Sequence, residues 1–441
     1  MRLTVERMSY GPGAVAHAED GRVAFVSGAC PGDVVEAAVD KDDKRCLEAH
    51  VVEVLEAGPD RVRPRCPYAG ICGGCPWAQL DYAAQLAAKR ANVVDALVRI
   101  GKLGVERTER LVRPCRDPGD PWGYRNKIEL AAAEQRGKTV IGLHAARGEG
   151  VVKVDECLLF DPSHKKLLKH AAGALGYLAN SHGLALDRVG LRGSRRTREA
   201  EIAVWTSTGP FPRAQAVRML EQGKKVTSIV RPMLKGDKDS MRARKVTRVE
   251  RLDGIGAWDE RVLEEEMRVS APSFFQVNTK GADALVSLVL EALEPGPEDV
   301  AMDLYSGAGT FTLPLGRRCA WVDAVESYGP AVRDLRKNLE RANLTNVDAV
   351  GGDAGREFPD DADPDIVVVD PPRAGLAEHV VDLLSETPAR AIAYVSCDPA
   401  TLARDIARFE ERGAFQADWV QPVDLFPQTY HVESVTLLRR R

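Results

Sequence analysis

From about residue 280 onward, short apolar runs alternate with amphipathic stretches of helical periodicity, and this alternation constrains the fold most strongly. Helical patterns over 329–342 and 399–411 separate neighbouring runs. The strand candidates are 300–304, 321–325, 347–350, 366–369, 391–395 and 432–438. Such alternation predicts an α/β, Rossmann-like domain in which helices cover both faces of a parallel sheet.

Composition narrows the remaining classes. Of 441 residues, 44% are apolar and 29% are charged, as in folded globular proteins. The net charge of −4 excludes a uniformly basic nucleic-acid binder, and no run approaches the roughly 18 apolar residues of a membrane span. The odd count of nine cysteines and the lack of an apolar signal segment predict a reduced, cytoplasmic protein without a membrane partner. We expect a monomer.

The rest of the chain predicts two further parts. Residues 1–57 have short alternating runs between Gly/Pro turns, which is typical of a small OB-like β-barrel. Within 187–250, 16 Lys/Arg stand against 7 Asp/Glu, which predicts a basic face for a polyanion. We therefore expect a barrel over 1–57, a central α+β domain over 58–270 and a catalytic domain over 271–441.

Polar residues follow four consecutive strand candidates. Gly307 and Gly309 form a G-x-G turn after the first strand, which lets the backbone approach a ligand closely. Glu326, Asp353 and Asp370 follow the next three strands. Ligands bind at the carboxyl ends of the strands in such sheets, so these groups predict a nucleotide-type site.

A cysteine follows the fifth strand. Cys397 precedes a helix that should begin near Pro399, and a helix N-terminus favours the thiolate that covalent catalysis requires. The last strand offers two candidate bases: Glu433, and His431 on the same side of that strand.

Five motifs occur in an order that resembles the RNA (uracil-5-)-methyltransferase family, a group of class I S-adenosylmethionine-dependent enzymes. They are the segments 275–278, 303–310, 370–375, 396–405 and 426–433. One departure is Ser306, where many members carry Cys or Ala. The resemblance implies that Cys397 adds to C6 of uracil, so that C5 can accept a methyl group, and that Glu433 removes the C5 proton. The cofactor-binding positions that it implies are Gln276, Tyr305, Thr310, Glu326, Asp353 and Asp370.

Three cysteines lie within ten consecutive residues, 66–75, of a Gly/Pro-rich loop. Cys66, Cys72 and Cys75 have metal-site spacing, and Cys157 is a candidate fourth ligand, so the set could bind zinc or an iron–sulfur cluster. Family members with this arrangement bind a [4Fe-4S] cluster, and the resemblance therefore implies that cluster, with zinc as the alternative.

The RNA-binding features also rest partly on resemblance. Segments 11–13 and 31–35 resemble a TRAM domain, an oligonucleotide-binding barrel. Segment 121–127 combines aromatic rings with cations, which suits unstacked bases and phosphates. The resemblance implies an RNA substrate, 23S rRNA with tRNA as the alternative. Two other hypotheses stay open: methylation of an exocyclic amine through the segment 370–373, and a non-catalytic RNA-binding protein.

Overall fold

The computed structural model describes residues 1–148, 150–222, 226–236, 244–359 and 363–441. These residues form a closed barrel, two seven-stranded sheets and a hairpin. In this described part of the chain, no helix combines the length and the apolar character that crossing a membrane would require.

The N-terminal strands close into a barrel in the order β1-β2-β3-β5-β4. Their bounds are β1 (Arg2–Met8), β2 (Gly13–His17), β3 (Val23–Ser27), β4 (Val34–Asp42) and β5 (Cys46–Glu56). Along β1, Leu3, Val5 and Met8 point into the barrel core. Closure pairs the strand edges that would otherwise stay exposed.

Two helices follow the barrel: α1 (Tyr82–Arg99) and α2 (Val105–Leu111). The Asp81 side chain caps α1 by accepting a hydrogen bond from the Ala83 N–H. Val93 and Leu97 of α1 are buried in the core of the C-terminal region, so this helix joins the barrel to that region.

The central sheet has the order β12-β11-β10-β9-β6-β7-β8. Its strands are β6 (Lys127–Gln135), β7 (Lys138–His144), β8 (Val151–Val152), β9 (Arg188–Gly193), β10 (Ala200–Ser207), β11 (Ser228–Lys235) and β12 (Lys245–Gly254). Helices α3 (Leu167–His182) and α4 (Arg213–Leu220) pack on it through one shared core. A hairpin of β13 (Trp258–Val262) and β14 (Glu265–Val269) follows.

The C-terminal sheet has the order β17-β16-β15-β18-β19-β21-β20. Its strands are β15 (Val300–Leu304), β16 (Trp321–Glu326), β17 (Val347–Gly351), β18 (Ile366–Val369), β19 (Ala391–Ser396), β20 (Phe415–Val423) and β21 (Glu433–Arg440). Its helices are α5 (Thr279–Leu293), α6 (Thr312–Gly316), α7 (Gly329–Ala342), α8 (Glu378–Glu386) and α9 (Pro399–Arg412).

Strands β15 to β19 are parallel, whereas β21 is antiparallel to both β19 and β20. One hydrophobic core lies on each face of the sheet, as the alternation predicts. The strand order reverses at β15, where β16 lies on one side and β18 on the other. A crevice at this reversal is where ligands bind in such sheets.

The predicted basic face is largely neutralised where the structure describes it. Lys224, Lys225, Lys238 and Arg242 of the segment 187–250 lie outside the described residues. Seven of its arginines pair with carboxylates: Arg188, Arg192, Arg195, Arg196, Arg213, Arg231 and Arg244. Local charge excess therefore overstates the positive charge left for a polyanion, and the basic face stays a prediction.

Candidate active site

The turn after β15 is held tightly against β16. The N–H groups of Tyr305 and Ser306 both donate to the Val325 carbonyl, at 2.9 and 3.1 Å. Gly309 has a φ of +102°, and a Cβ there would collide with a leucine of α6. A Cβ on Gly307 would instead meet open space, so the backbone of this residue faces room for a ligand.

Glu326 lies at the end of β16, directly beside this turn. Its Oε2 accepts a hydrogen bond from the Gly307 N–H at 2.9 Å, and its Oε1 accepts one from the Tyr328 N–H at 2.6 Å. The backbone thus fixes both carboxylate oxygens beside the turn, in the place where an acidic residue binds ribose hydroxyls in nucleotide sites.

Three buried polar atoms around the turn have no hydrogen-bond partner among the described residues: Gln276 Oε1, Ser306 Oγ and Asp303 Oδ1. Asn126 positions the first of these residues by donating from Nδ2 to the Gln276 carbonyl at 2.9 Å. Buried polar groups are nearly always satisfied, so these atoms fit a polar ligand such as S-adenosylmethionine.

Carboxyl groups crowd the same strand ends. Burial raises the pKa of Asp370 to about 7, with a further contribution from Glu326. Burial also raises the pKa of Asp303 to about 7, although its Oδ2 accepts a hydrogen bond from the Thr312 hydroxyl at 2.5 Å. A cationic ligand would lower these pKa values again, so the site fits a positively charged cofactor.

The predicted nucleophile and base lie next to each other at the ends of two paired strands. Ser396, the last residue of β19, pairs with Ser434 of β21. Cys397 follows Ser396 and Glu433 precedes Ser434, so the two predicted residues are at adjacent positions in this antiparallel pair. Burial, with the Asp370 charge, raises the pKa of the fully buried Glu433 well above its usual range. Cys397 is half-buried, and Arg373 lowers its pKa slightly against a stronger opposing effect.

The expectation of a helix-stabilised thiolate is wrong for the free protein. Burial, together with Glu433 and Asp370, raises the pKa of Cys397 to about 12. Helix α9 does begin at Pro399, but Asp398 Oδ1 accepts the N–H groups of Ala400 and Thr401. The helix N-terminus therefore stabilises the capping carboxylate, and not the sulfur.

His431 lies outside the last strand. Strand β21 begins at Glu433, so the strand alternation that would place both side chains on one side does not apply. His431 Nδ1 lies 3.2 Å from an Arg373 guanidinium nitrogen, the donor of this contact. Burial and that cation lower the pKa of His431 to about 4. A ring nitrogen that already accepts from arginine is a poor base.

The two remaining predicted cofactor residues, Thr310 and Asp353, are not fully buried. Thr310 is half-buried between Gly309 and α6. Asp353 is exposed after β17, where its Oδ1 accepts a hydrogen bond from the Gly355 N–H at 3.1 Å. Burial raises the pKa of Tyr305 to about 12, and the Asp353 charge contributes to this shift.

The segment 424–432, here called the catalytic loop, is anchored by the N-terminal half of the chain. Lys89 of α1 forms a fully buried ion pair with Asp424. Gln85 exchanges two hydrogen bonds with Gln428: its Nε2 donates to Gln428 Oε1, and its Oε1 accepts from the Gln428 N–H. These distant partners leave no periodic signal in the sequence.

The four predicted ligand cysteines converge on one cavity of about 170 Å³. Cys66, Cys72, Cys75 and Cys157 line it, together with Arg125. Burial raises the pKa of Cys75 to about 12, and the Arg125 charge acts in the opposite direction. Within the described ranges, no group of three or more His, Cys, Asp or Glu side chains is arranged to hold a metal ion.

Comparisons with known proteins agree with this geometry. A family model described as tRNA (Uracil-5-)-methyltransferase matches residues 259–441, and a TRAM domain model matches residues 1–52. An uncharacterised RNA methyltransferase of Thermosynechococcus vestitus is 32% identical over 99% of this chain and 97% of its own. One of Chlorobaculum tepidum is 35% identical over 96% and 92%.

A solved structure matches the whole chain. The crystal structure of the Pyrococcus abyssi tRNA (uracil-54, C5)-methyltransferase in complex with S-adenosyl-L-homocysteine covers 99% of both chains, with 26% identity and a TM-score of 0.75. The strand order, the glycine turn and these matches agree. The chain therefore belongs to the RNA uracil-5-methyltransferase family and carries an N-terminal TRAM domain.

Proposed function

We propose that this S-adenosylmethionine-dependent RNA uracil-5-methyltransferase works through a covalent bond between Cys397 and C6 of the target uracil. The observation that carries the proposal is that Cys397 and Glu433 lie at adjacent positions across β19 and β21, and that Asp370 is close enough to raise the pKa of both. A methyl donor and a nucleophile are both needed there because uracil C5 is a weak nucleophile.

The chemistry proceeds in balanced steps. The Cys397 thiol first loses its proton to solvent, and the thiolate forms a bond to C6 while the electron pair of the C5–C6 double bond moves onto C5 and O4. C5 would then take the methyl group as the bond of that group to the positively charged sulfur breaks, which would leave a neutral thioether. Glu433 removes the C5 proton, the double bond re-forms, and the C6–S bond breaks to return the thiolate.

The cofactor supplies an electrophilic methyl group on a positively charged sulfur when it is bound. We assign its binding to Gln276, Tyr305, Glu326 and Asp370, and also to Thr310 and Asp353. The unpartnered Gln276 Oε1 and the backbone-fixed Glu326 carboxylate support this assignment. Asp370 contributes a carboxyl group whose ionised form a cation stabilises.

Glu433 suits the base because its proton affinity is high. Its raised pKa means that the carboxylate, once formed beside a cation, readily takes a proton. The same carboxyl group raises the pKa of Cys397, so its charge state is coupled to that of the sulfur. The Glu433 charge therefore affects the loss of the thiol proton, and its carboxylate takes the C5 proton.

We further propose that Cys66, Cys72, Cys75 and Cys157 hold a [4Fe-4S] cluster. Four sulfurs around one cavity and the adjacent Arg125 support this, because four thiolates bring negative charge. A single zinc ion is the alternative, because four thiolates are also a zinc ligand set. The cluster would hold the segments around Cys75 and Cys157 together and take no part in methyl transfer.

For the substrate we propose 23S rRNA, bound by the barrel (1–57), the central domain (58–270) and the catalytic domain (271–441). The target base must be flipped out of its stack to reach Cys397. tRNA is the second candidate, favoured by the likeness to the Pyrococcus abyssi tRNA enzyme, which has the same overall extent. Nine free cysteines support a reducing cytoplasm, and we propose that the enzyme acts as a monomer.

The test is methyl transfer from labelled S-adenosylmethionine to transcripts of 23S rRNA and of tRNA, followed by mapping of the methylated nucleotide. We expect 5-methyluridine in the rRNA transcript. Label in tRNA alone would replace the substrate assignment and leave the chemistry intact, whereas label on an exocyclic amine would overturn the mechanism.

A further inference from the structure

A tyrosine of the N-terminal barrel reaches the nucleophile. Tyr10 lies in the turn between β1 and β2, and its hydroxyl donates a hydrogen bond to the Cys397 carbonyl at 3.0 Å. The two residues are 387 positions apart in the chain. A domain expected to bind RNA therefore also contacts the backbone of the proposed nucleophile.

The ring of Tyr10 continues into the catalytic loop. It packs edge-on against the Tyr430 ring, with ring centroids 5.8 Å apart. The ring centroids of Tyr430 and His431 are 4.2 Å apart. His431 in turn contacts Arg373, the cation that opposes the negative charges around Cys397. A series of contacts thus connects the barrel turn with the catalytic loop and with Arg373.

The barrel turn is itself supported from behind by Trp77, a fully buried residue that follows the cysteine loop. Trp77 Nε1 donates to the Gly11 carbonyl at 3.1 Å, and the Trp77 N–H donates to the Gln428 carbonyl at 3.1 Å. Trp77 therefore binds the turn of Tyr10 through its side chain and the catalytic loop through its backbone.

The position of this hydrogen bond in the fold explains why it matters. Strand β19 ends at Ser396, and Asp398 is the cap of α9, so the Cys397 peptide lies between two regular elements. Tyr10 supplies a donor to the carbonyl of that peptide. Rotation of the peptide would move the sulfur relative to the uracil, and small displacements of a reacting atom are costly in rate.

We propose that Tyr10 is a positioning residue, through which the barrel orients Cys397 for attack on uracil C6. The proposal rests on the proposed function, in which Cys397 is the nucleophile. It predicts that the barrel contributes to the chemical step and not only to RNA binding.

The experiment uses the full chain and the variant Tyr10→Phe, which removes the hydroxyl and keeps the ring. The probe is 5-fluorouridine-containing RNA, from 23S rRNA and tRNA transcripts, with S-adenosylmethionine. In this RNA, C5 carries fluorine in place of the proton that the base would remove, so the sulfur cannot be eliminated. The covalent adduct therefore accumulates, and its rate of formation can be measured. At saturating RNA we expect that rate to fall about tenfold, with unchanged affinity for RNA and for S-adenosylhomocysteine.

Tyr177→Phe is the matched control, because Tyr177 is an exposed residue of α3 in the central domain. We expect it to form adduct at the rate of the unaltered protein. Trp77→Phe, which removes the donor to Gly11, should lower the rate about threefold and provides a second test should Tyr10→Phe not fold.

Adduct formation by Tyr10→Phe at the unaltered rate would overturn the proposal. A loss of RNA affinity with no change in the saturated rate would also overturn it, because Tyr10 would then belong to the RNA-binding surface. Cys397→Ser is measured in parallel: if that variant still forms the adduct, the proposed function fails independently of Tyr10.

Discussion

The surroundings of Cys397 differ from those of the four-cysteine cavity. Cys397 has carboxyl groups as neighbours, and Glu433 and Asp370 raise the pKa of its thiol beyond the effect of burial. The four-cysteine cavity has other thiols and Arg125 as neighbours. Both sites are half-buried, and burial raises the thiol pKa at each.

The difference lies in the ligand charge that each site can accept. Carboxyl groups around Cys397 favour a positively charged ligand, which would lower the raised pKa values there. Arg125 beside the four-cysteine cavity favours negative charge, such as thiolates bound to iron. In the proposed function, the same residue type would serve as nucleophile in one place and as metal ligand in the other, according to the charges that the fold places beside it.

Substitution of Cys397 is the strongest test of this difference, because it should cause the largest loss of methyl transfer. We expect Cys397→Ser to lower methyl transfer by about 10⁴-fold or more, because serine is a far weaker nucleophile at C6. Iron content should not change. Labelled methyl transfer to RNA measures the first effect, with Cys46→Ser of the barrel as the matched control. Full methyl transfer by Cys397→Ser would favour amine methylation instead.

Glu433→Gln separates the two proton movements. The variant can still present Cys397, but it cannot take the C5 proton, so methylated RNA should stay covalently bound. We expect turnover to fall by about 10²- to 10³-fold. Denaturing gels should show the trapped complex with ordinary uridine RNA. Normal turnover would move the role of base to water or to another side chain.

The raised pKa values predict the direction of the pH dependence. The carboxylate of Glu433 and the thiolate of Cys397 must form, and both pKa values lie above their usual ranges. The single-turnover rate should therefore rise with pH through the neutral range, about tenfold per unit where one group controls it. Asp370→Asn removes a charge that raises both pKa values, so its profile should move to lower pH at saturating cofactor. A flat profile would contradict this electrostatic description.

The smallest effect on rate is expected at the four-cysteine cavity. Cys157→Ser should remove the iron and the brown colour, and lower the thermal midpoint by roughly several degrees. Methyl transfer at saturating RNA should fall at most about twofold, because the four-cysteine cavity takes no part in the proposed chemistry. Iron analysis, the visible spectrum and calorimetry measure these changes, with Cys46→Ser as the control. A colourless unaltered protein containing zinc would decide for the alternative.

Much of the C-terminal fold could be predicted because its signals are local. The apolar runs around 300–304 and 391–395 became β15 and β19, and the helical pattern over 329–342 became α7. Strand β20 was not predicted. In the barrel, the segment 11–13 was predicted as a turn, and strand β2, which begins at Gly13, was not predicted. Pairing across the sheet determines such strands, and the local pattern carries little of that information.

The site was predictable only in part, for the same reason. The order of motifs was enough to single out Cys397, Glu433 and the glycine turn. It missed Tyr10 and the anchoring of the catalytic loop by Lys89, because these contacts join segments hundreds of residues apart. It also missed that the cap at Asp398 and the buried carboxyl groups oppose the effect of the helix on the Cys397 thiol.

Residue order alone therefore sufficed for the fold class and the family, because hydrophobic periodicity and short motifs are properties of neighbouring residues. It also predicted Cys397 and Glu433 as the reactive side chains. Three-dimensional packing was needed for the charge state of those side chains and for the contact between barrel and nucleophile. Electrostatic effects and hydrogen bonds act over a few ångströms in space, whatever the separation along the chain.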